Sequence, residues 1–181
     1  MVLVTPPVVL FAPRKRGVRI PQADELDKVI QVVERAGLGV HDSKGLANLM
    51  GFNPRQSSYY REAAEILGFL NPSKKYYLTD IGRQLLVSDQ QKRARLMSAA
   101  LIRYPVISAI LACLQSGISE EVSRKDITAL VVAIRHLDQT TAERRAQTIM
   151  SWIRWLQTNI GIVEVEEGGV TLAKQEKLGT F

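Results

Sequence analysis

The apolar residues of this chain recur at helical spacing over most of its length, which predicts a mainly helical fold. The clearest example is the segment 53–68. Asn53 can cap a helix there, Pro54 suits its first position, and Gly68 fits a left-handed stop. The predicted buried stripe of this helix consists of four residues: Tyr60, Ala63, Ala64 and Leu67.

Two short apolar segments separated by a turn follow this helix. The pattern of residues 69–78 predicts a β-hairpin with Lys74 and Lys75 in its turn, and Thr79 can cap the next helix. Two helices joined through a glycine turn are predicted upstream: Gln22–Ala36 and Lys44–Met50. This order of helices and hairpin is typical of a winged helix-turn-helix module whose recognition helix starts at Pro54.

The second half of the chain repeats this plan. Three more helices are predicted, and their starts are marked by a proline and two capping-box pairs: Pro105, Ser123 with Asp126, and Thr140 with Glu143. Gly161 can end the last and longest of them. The alternation over 160–165, a Gly-Gly turn and an apolar return over 170–173 predict a second hairpin.

A helix over 89–103, with Ser88 and Gln91 as its predicted capping box, joins the two halves. The sequence therefore predicts a mainly α fold with small β-hairpin wings, built from two winged helix-turn-helix modules in tandem. The predicted divisions are an extended basic N-terminal arm (1–20), the first module (21–88), the linking helix (89–104) and the second module (105–181).

The charge of the chain favours an anionic partner, because its formal net charge is +6 and its pI is near 9.6. Residues 1–104 hold 16 Lys and Arg against 9 Asp and Glu, which gives +7, whereas residues 105–181 hold 8 against 9. If the partner is a phosphate backbone, the first half should carry most of the contact.

The first predicted recognition helix turns a polar face away from its apolar stripe. Arg55, Ser58 and Tyr59 lie on that face, at about 140° from the stripe, in the turns that meet base edges in helix-turn-helix proteins. A solvated helix face is the alternative interpretation. The N-terminal arm carries a basic cluster of Arg14, Lys15 and Arg16. This cluster can lie along phosphates or in a minor groove, or it can be a disordered lead-in.

The second predicted recognition helix offers Arg144, Gln147 and Ser151 on its outer face, where Arg and Gln can make bidentate contacts to guanine and adenine. A solvated face is again the alternative. The second wing carries Glu164, Glu166 and Glu167, which would repel phosphate, so this module could instead contact a protein. The candidate DNA-contacting residues are Arg14, Lys15, Arg16, Arg55, Gln56, Ser58, Tyr59, Arg61, Lys74, Lys75, Arg144, Arg145, Gln147 and Ser151.

Two segments resemble the tandem winged-helix domains attached to type II restriction endonucleases, over roughly residues 20–175. The first segment combines Arg55 and the motif 58–60 with Ala63-Ala64, Leu67-Gly68 and Leu78-Thr79, and the second combines 144–148 with Ser151-Trp152 and Trp155-Leu156. The resemblance implies DNA contacts from Arg55, Ser58 and Tyr59, and from Arg144, Arg145 and Gln147. By helical projection Arg145 lies nearer the buried face, so a structural role is the alternative for it.

The motifs of catalysis are missing from the sequence. No Pro-Asp pair precedes a Glu-x-Lys, and there is no His- or Cys-rich ligand cluster, glycine-rich phosphate loop, or nucleophile with a base. We therefore expect no enzyme activity, no catalytic or metal-binding residues and no cofactor, with any nuclease activity residing in a partner domain.

The expected partner is double-stranded DNA, with a nuclease domain or another protein as a possible second partner of the second module. A protein-interaction module, a stand-alone transcriptional regulator and a small nuclease are the alternatives. No apolar run approaches the roughly 20 residues of a membrane span, and the segment 2–12 lacks a basic leader. The single cysteine, Cys113, fits a reducing compartment, so we expect a cytoplasmic protein without a membrane partner.

Overall fold

The computed structural model describes residues 17–73, 75–166 and 168–174. Within them the chain is mainly helical, with one small antiparallel sheet. The helices are α1 (Leu26–Gly37), α2 (Ser43–Met50), α3 (Pro54–Ile66), α4 (Asp80–Val87), α5 (Gln90–Arg103), α6 (Pro105–Gln115), α7 (Arg124–Arg135) and α8 (Gln139–Ile160). The strands are β1 (Glu121–Ser123), β2 (Val163–Val165) and β3 (Gly169–Leu172).

Helix α3 begins and ends as its sequence predicts. The Asn53 side chain accepts a hydrogen bond from the Gln56 backbone N–H at 2.9 Å, and the Gln56 side chain accepts one from the Asn53 N–H at 3.1 Å. This reciprocal pair satisfies two of the donors that a helix start leaves unpaired. Gly68, with φ +82°, turns the chain out of the helix in the left-handed conformation that glycine tolerates. The predicted stripe is confirmed, since all four of its residues are buried.

Four helix starts differ from the prediction; that of α2 differs by one residue, Ser43 instead of Lys44. Helix α1 begins at Leu26 rather than Gln22, because residues 17–25 run without helical structure. Helix α5 is capped by Asp89, whose carboxylate accepts from the Lys92 N–H at 2.8 Å, while Ser88 bonds backwards instead. Helix α8 is capped by Asp138 rather than Thr140. In α5 and α8 an aspartate close to the predicted cap supplies a charged acceptor for the first turn.

The sheet has the order β1-β3-β2, with both pairings antiparallel. The hairpin of β2 and β3 confirms the prediction for the second half, but the sequence did not predict β1. The first predicted hairpin was wrong in extent, because among the described residues of 69–78 a single bridge forms, between Leu70 and Leu78. A side-chain bond from Asn71 to the Leu78 carbonyl, at 3.1 Å, stabilises this turn in place of a longer ladder.

The buried residues of the two halves form one contiguous cluster. Trp152 on α8 donates its indole N–H to the Ala23 carbonyl at 2.8 Å in the interior. Tyr104, after α5, donates its hydroxyl to the Arg19 carbonyl at 2.9 Å and packs edge-on against Trp152 at 5.6 Å. The segment before α1 is therefore fixed against the second half, and the division into separate modules stays a prediction.

Among the described residues no single helix is both long and apolar enough to cross a bilayer. Helices α5 and α6 reach that composition only when taken together, and an 82° bend separates them.

Candidate nucleic-acid interface

The first turns of α3 present Arg55 and Ser58 to solvent and leave Tyr59 half-buried. Arg55 donates from Nε to the Tyr59 hydroxyl one turn later, and its guanidinium carbon lies 5.6 Å from the centre of the Tyr59 ring. Residues four apart face each other on a helix, and a cation above an aromatic ring is attracted to it. The Arg55 side chain is thereby oriented, with its terminal NH groups left to other partners.

Two other predicted residues of α3 make contacts within the fold. Gln56 accepts from the Asn53 N–H in the capping box. Arg61 pairs with Glu65 at 2.6 Å, donates to the Ser73 carbonyl and lies 5.0 Å from the centre of the Tyr76 ring. Its side chain is only 26% exposed. Arg61 thus holds the following turn against α3, and its contact with DNA stays a prediction.

Helix α8 presents Arg144 to solvent near its start and leaves Arg145 half-buried beside it. Gln147 and Ser151 are half-buried further along, and the Ser151 hydroxyl donates to the Gln147 carbonyl at 3.2 Å. The projection that placed Arg145 closer to the interior is confirmed by its lower exposure.

Both helices line a cleft with a volume of about 390 Å³, which we call the arginine cleft. Its lining residues are Gln22, Asn53, Arg55, Gln56, Tyr59, Arg144, Arg145 and Thr148. Five of them are predicted contact residues from both halves of the chain, and none is a carboxylate. The cleft leaves out Ser58, Arg61, Lys75, Gln147 and Ser151.

Three lining residues are not among the predicted contact residues. Gln22 is the first residue of the first predicted helix and Asn53 is a predicted cap, while Thr148 has no predicted contact role. Thr148 follows Arg144 by four residues, and helical spacing could have placed it on the same side of α8.

Positive charge prevails in the lining of the cleft, which includes three arginines and no carboxylate. Burial lowers the pKa of the Arg145 guanidinium, against the opposing effects of Tyr59 and Glu62, and the neighbouring Arg144 lowers it further. Within the described ranges, none of the cleft arginines has a carboxylate oxygen within 4.0 Å; the ion pairs there involve other residues. A partly desolvated cation without a close counter-ion attracts an anion from solution.

The remaining predicted residues are basic. Lys75 is exposed next to the turn that follows α3. The other four lie outside the described residues: Arg14, Lys15, Arg16 and Lys74. In the part of the chain that the structure describes, no group of three or more His, Cys, Asp or Glu residues could hold a metal ion.

The chain belongs to the family described as a domain of unknown function, DUF7226, whose family model matches residues 28–161. The match extends from α1 to the end of α8 and so includes both helices of the arginine cleft. Comparison with curated proteins and with solved structures gave no significant match.

Proposed function

We propose that this protein binds double-stranded DNA with sequence preference through α3 and α8, without catalytic residues of its own. The observation that carries the proposal is the arginine cleft. Two helices that the sequence separately suggests as recognition helices bring three arginines to one concave site with no lining carboxylate. Guanidinium groups are the side chains that most often contact guanine and phosphate in DNA complexes.

The element order supports two winged helix-turn-helix modules. In the second half α6, β1, α7, α8, β2 and β3 follow one another, and β3 lies between β1 and β2. In the first half α1, α2 and α3 precede the bridged turn. Helices α3 and α8 are then the third helix of each module, the position of a recognition helix. The resemblance to restriction-endonuclease recognition domains suggests the same role here.

Proposed contacts on α3 are Arg55, Ser58 and Tyr59, and those on α8 are Arg144, Arg145 and Gln147. Arg55 has two possible roles, a bidentate contact to guanine or a contact to phosphate. Lys75, Lys74 and the basic arm would add phosphate attraction from the first half of the chain, which carries the excess positive charge.

The test is a titration of labelled duplex DNA, first with a random pool to select preferred sites and then at several salt concentrations. Wild-type affinity should fall steeply as salt rises. A triple alanine variant of Arg55, Arg144 and Arg145 should bind much more weakly and should lose up to about three units of the salt slope.

A matched control removes three exposed arginines that do not line the cleft: Arg35, Arg95 and Arg124. This variant has the same net charge as the cleft variant. Equal losses in the two variants would show that only net charge matters and would contradict the proposal, as would wild-type protein that does not bind duplex DNA.

A protein partner is the second candidate, and the sheet favours it. Glu121 on β1 and Glu164 on β2 both pair with Thr171 on β3, so two carboxylates lie in one cross-strand row on one face of the sheet. That face repels phosphate and suits a basic protein surface. Substituting both glutamates with glutamine should leave duplex binding intact or slightly stronger if this face points away from DNA.

A further inference from the structure

We propose that the arginine cleft is a phosphate-binding site built jointly by both halves of the chain, with Arg145 as the clamp and Arg55 and Arg144 at the entrance. One phosphate group, a diester in a DNA strand or a free monoester, enters between α3 and α8. The proposal depends on the proposed function for the DNA source of that phosphate, but the site itself does not.

The chemistry of the cleft selects for an anion. Three guanidinium groups line it and no carboxylate does. Two of the three amide oxygens in the lining already accept a hydrogen bond, since Asn53 Oδ1 accepts from the Gln56 N–H and Gln56 Oε1 accepts from the Asn53 N–H; the third belongs to Gln22. The cleft therefore offers mainly donors, which suits phosphate oxygens better than the mixed edge of a base.

The capping box also leaves the start of α3 with few free backbone donors for an anion. A helix start binds anions through its unpaired N–H groups, but Asn53 occupies the Gln56 N–H. The site consequently depends on side chains from two helices.

Arg145 is the most enclosed of the three guanidinium groups, and burial disfavours its charge. Glu62 favours that charge from α3 but lies beyond ion-pairing distance. A bound phosphate would supply the missing counter-ion, and the planar fork of arginine matches two phosphate oxygens at once.

Arg55 and Arg144 are exposed and come from different helices. Arg55 is oriented by its bond to the Tyr59 hydroxyl, which engages Nε and leaves the terminal nitrogens to reach a ligand. A phosphate held from both sides would fix the duplex relative to both halves of the chain. Such a phosphate contact positions the duplex without recognising a base, and it sets the register for contacts elsewhere on the two helices.

The first experiment titrates the full chain with inorganic phosphate and follows backbone amides by NMR. Wild type should show saturable shifts at residues of α3 and α8 around the cleft. Arg145→Ala should bind roughly 10- to 100-fold more weakly, as expected for loss of a hydrogen-bonded charge. Arg145→Lys should recover only part of the affinity, because it keeps the charge and loses the fork.

Two further variants keep the result interpretable. Arg55→Ala changes an exposed side chain, so it tests the site even if a substitution at Arg145 disturbs the fold, and it should also weaken phosphate binding. Arg95→Ala removes an exposed arginine of α5 that does not line the cleft, and it should stay within about twofold of wild type. Wild-type shifts that do not saturate, or equal losses in the Arg95, Arg55 and Arg145 variants, would overturn the proposal.

The second experiment uses the selected duplex with single methylphosphonate linkages, each of which neutralises one phosphate. Wild type should lose affinity most at one linkage per site, and Arg145→Ala should lose nothing further at that linkage, since the two changes remove the same contact. If the affinity losses from Arg145→Ala and from each methylphosphonate were additive at every linkage, the proposed contact between Arg145 and one phosphate would be contradicted.

The outcomes separate this inference from the proposed function. If duplex DNA binds and Arg145→Ala behaves like Arg95→Ala, the function stands and the phosphate site is refuted. If duplex DNA does not bind while inorganic phosphate still saturates the cleft, the DNA-binding function fails. The site is then supported as a receptor for a phosphate monoester.

Discussion

Two buried tyrosines connect distant residues through their hydroxyls. Tyr104 donates to the Arg19 carbonyl at 2.9 Å, and Tyr60 donates to the Glu25 carboxylate at 3.4 Å. Burial raises the pKa of both, and nearby carboxylates add to the effect: Glu62 at Tyr104, and chiefly Glu25 at Tyr60. The folded state therefore holds these protons more tightly than the unfolded chain, so its stability depends on pH in the alkaline range.

The first prediction concerns alkaline pH. Since the folded pKa lies above the unfolded value near 10, the contribution of Tyr104 is complete below about pH 10 and is lost as pH rises above it. Tyr104→Phe should be about 0.5–1.5 kcal/mol less stable at neutral pH, because the hydrogen bond is lost, and should lose less stability above pH 10 than wild type. Denaturant unfolding at several pH values measures both. Tyr77→Phe, at a residue 47% exposed, is the control; the same alkaline slope in both variants would contradict the assignment.

The second prediction decides the role of Arg55. The sequence favoured a guanine contact, but the structure places Arg55 at the entrance of the arginine cleft with two further arginines. If it contacts phosphate there, Arg55→Ala should weaken binding to the selected site and to a scrambled duplex by the same factor. Titrations of both duplexes at one salt concentration, with circular dichroism to verify the fold, measure this. A loss of about 1–3 kcal/mol on the selected site alone would instead establish base recognition.

At the scale of elements, local signals set most helix boundaries. Asn53, Thr79 and Ser123 cap the helices that the sequence assigned to them, because each cap satisfies backbone donors within three residues. The starts of α5 and α8 were missed by one or two residues, since an aspartate competes there with the predicted cap. Strand β1 could not be predicted locally, because its three residues pair with β3 almost 50 residues later.

The third prediction concerns the buried side of α3. Leu67 is 5% exposed, so Leu67→Ala should lower the free energy of unfolding by about 2–5 kcal/mol through lost burial and a residual cavity. Duplex binding by the fraction that remains folded should be unchanged, because Leu67 does not line the arginine cleft. Chemical denaturation and a titration of the folded protein measure the two effects. Leu49→Ala, at a residue 55% exposed, serves as the control and should change stability little. Equal destabilisation by both substitutions would contradict the assigned core position.

At the scale of the whole molecule, the sequence predicted contact residues on α3 and on α8, but not that residues of both helices line one cleft. Arg55 and Arg145 are 90 positions apart, and their common cleft depends on how α8 packs against the segment before α1. Helical periodicity shows which side of one helix is apolar, but it does not determine how two helices are placed relative to each other. The lower exposure expected for Arg145 was the one local hint, and it left a structural role and a binding role open.

The last prediction concerns unfolding of the whole chain. The indole of Trp152 is fully buried and donates to Ala23, so it joins α8 to the N-terminal segment of the first half. Because the buried cluster is contiguous across both halves, we expect a single cooperative transition in which circular dichroism and hydrogen exchange of α3 and α8 report one midpoint.

Trp152→Phe keeps an aromatic ring but leaves the Ala23 carbonyl without this donor, which should cost about 1–3 kcal/mol and lower the midpoint for both helices together. Trp155→Phe is the matched control, since its indole bonds to Asp27 at 3.4 Å near the surface and its loss should matter less. Two separate transitions, with only α8 shifted in the Trp152 variant, would show instead that the halves are independently stable modules, and the arginine cleft would then have to form by docking rather than by folding.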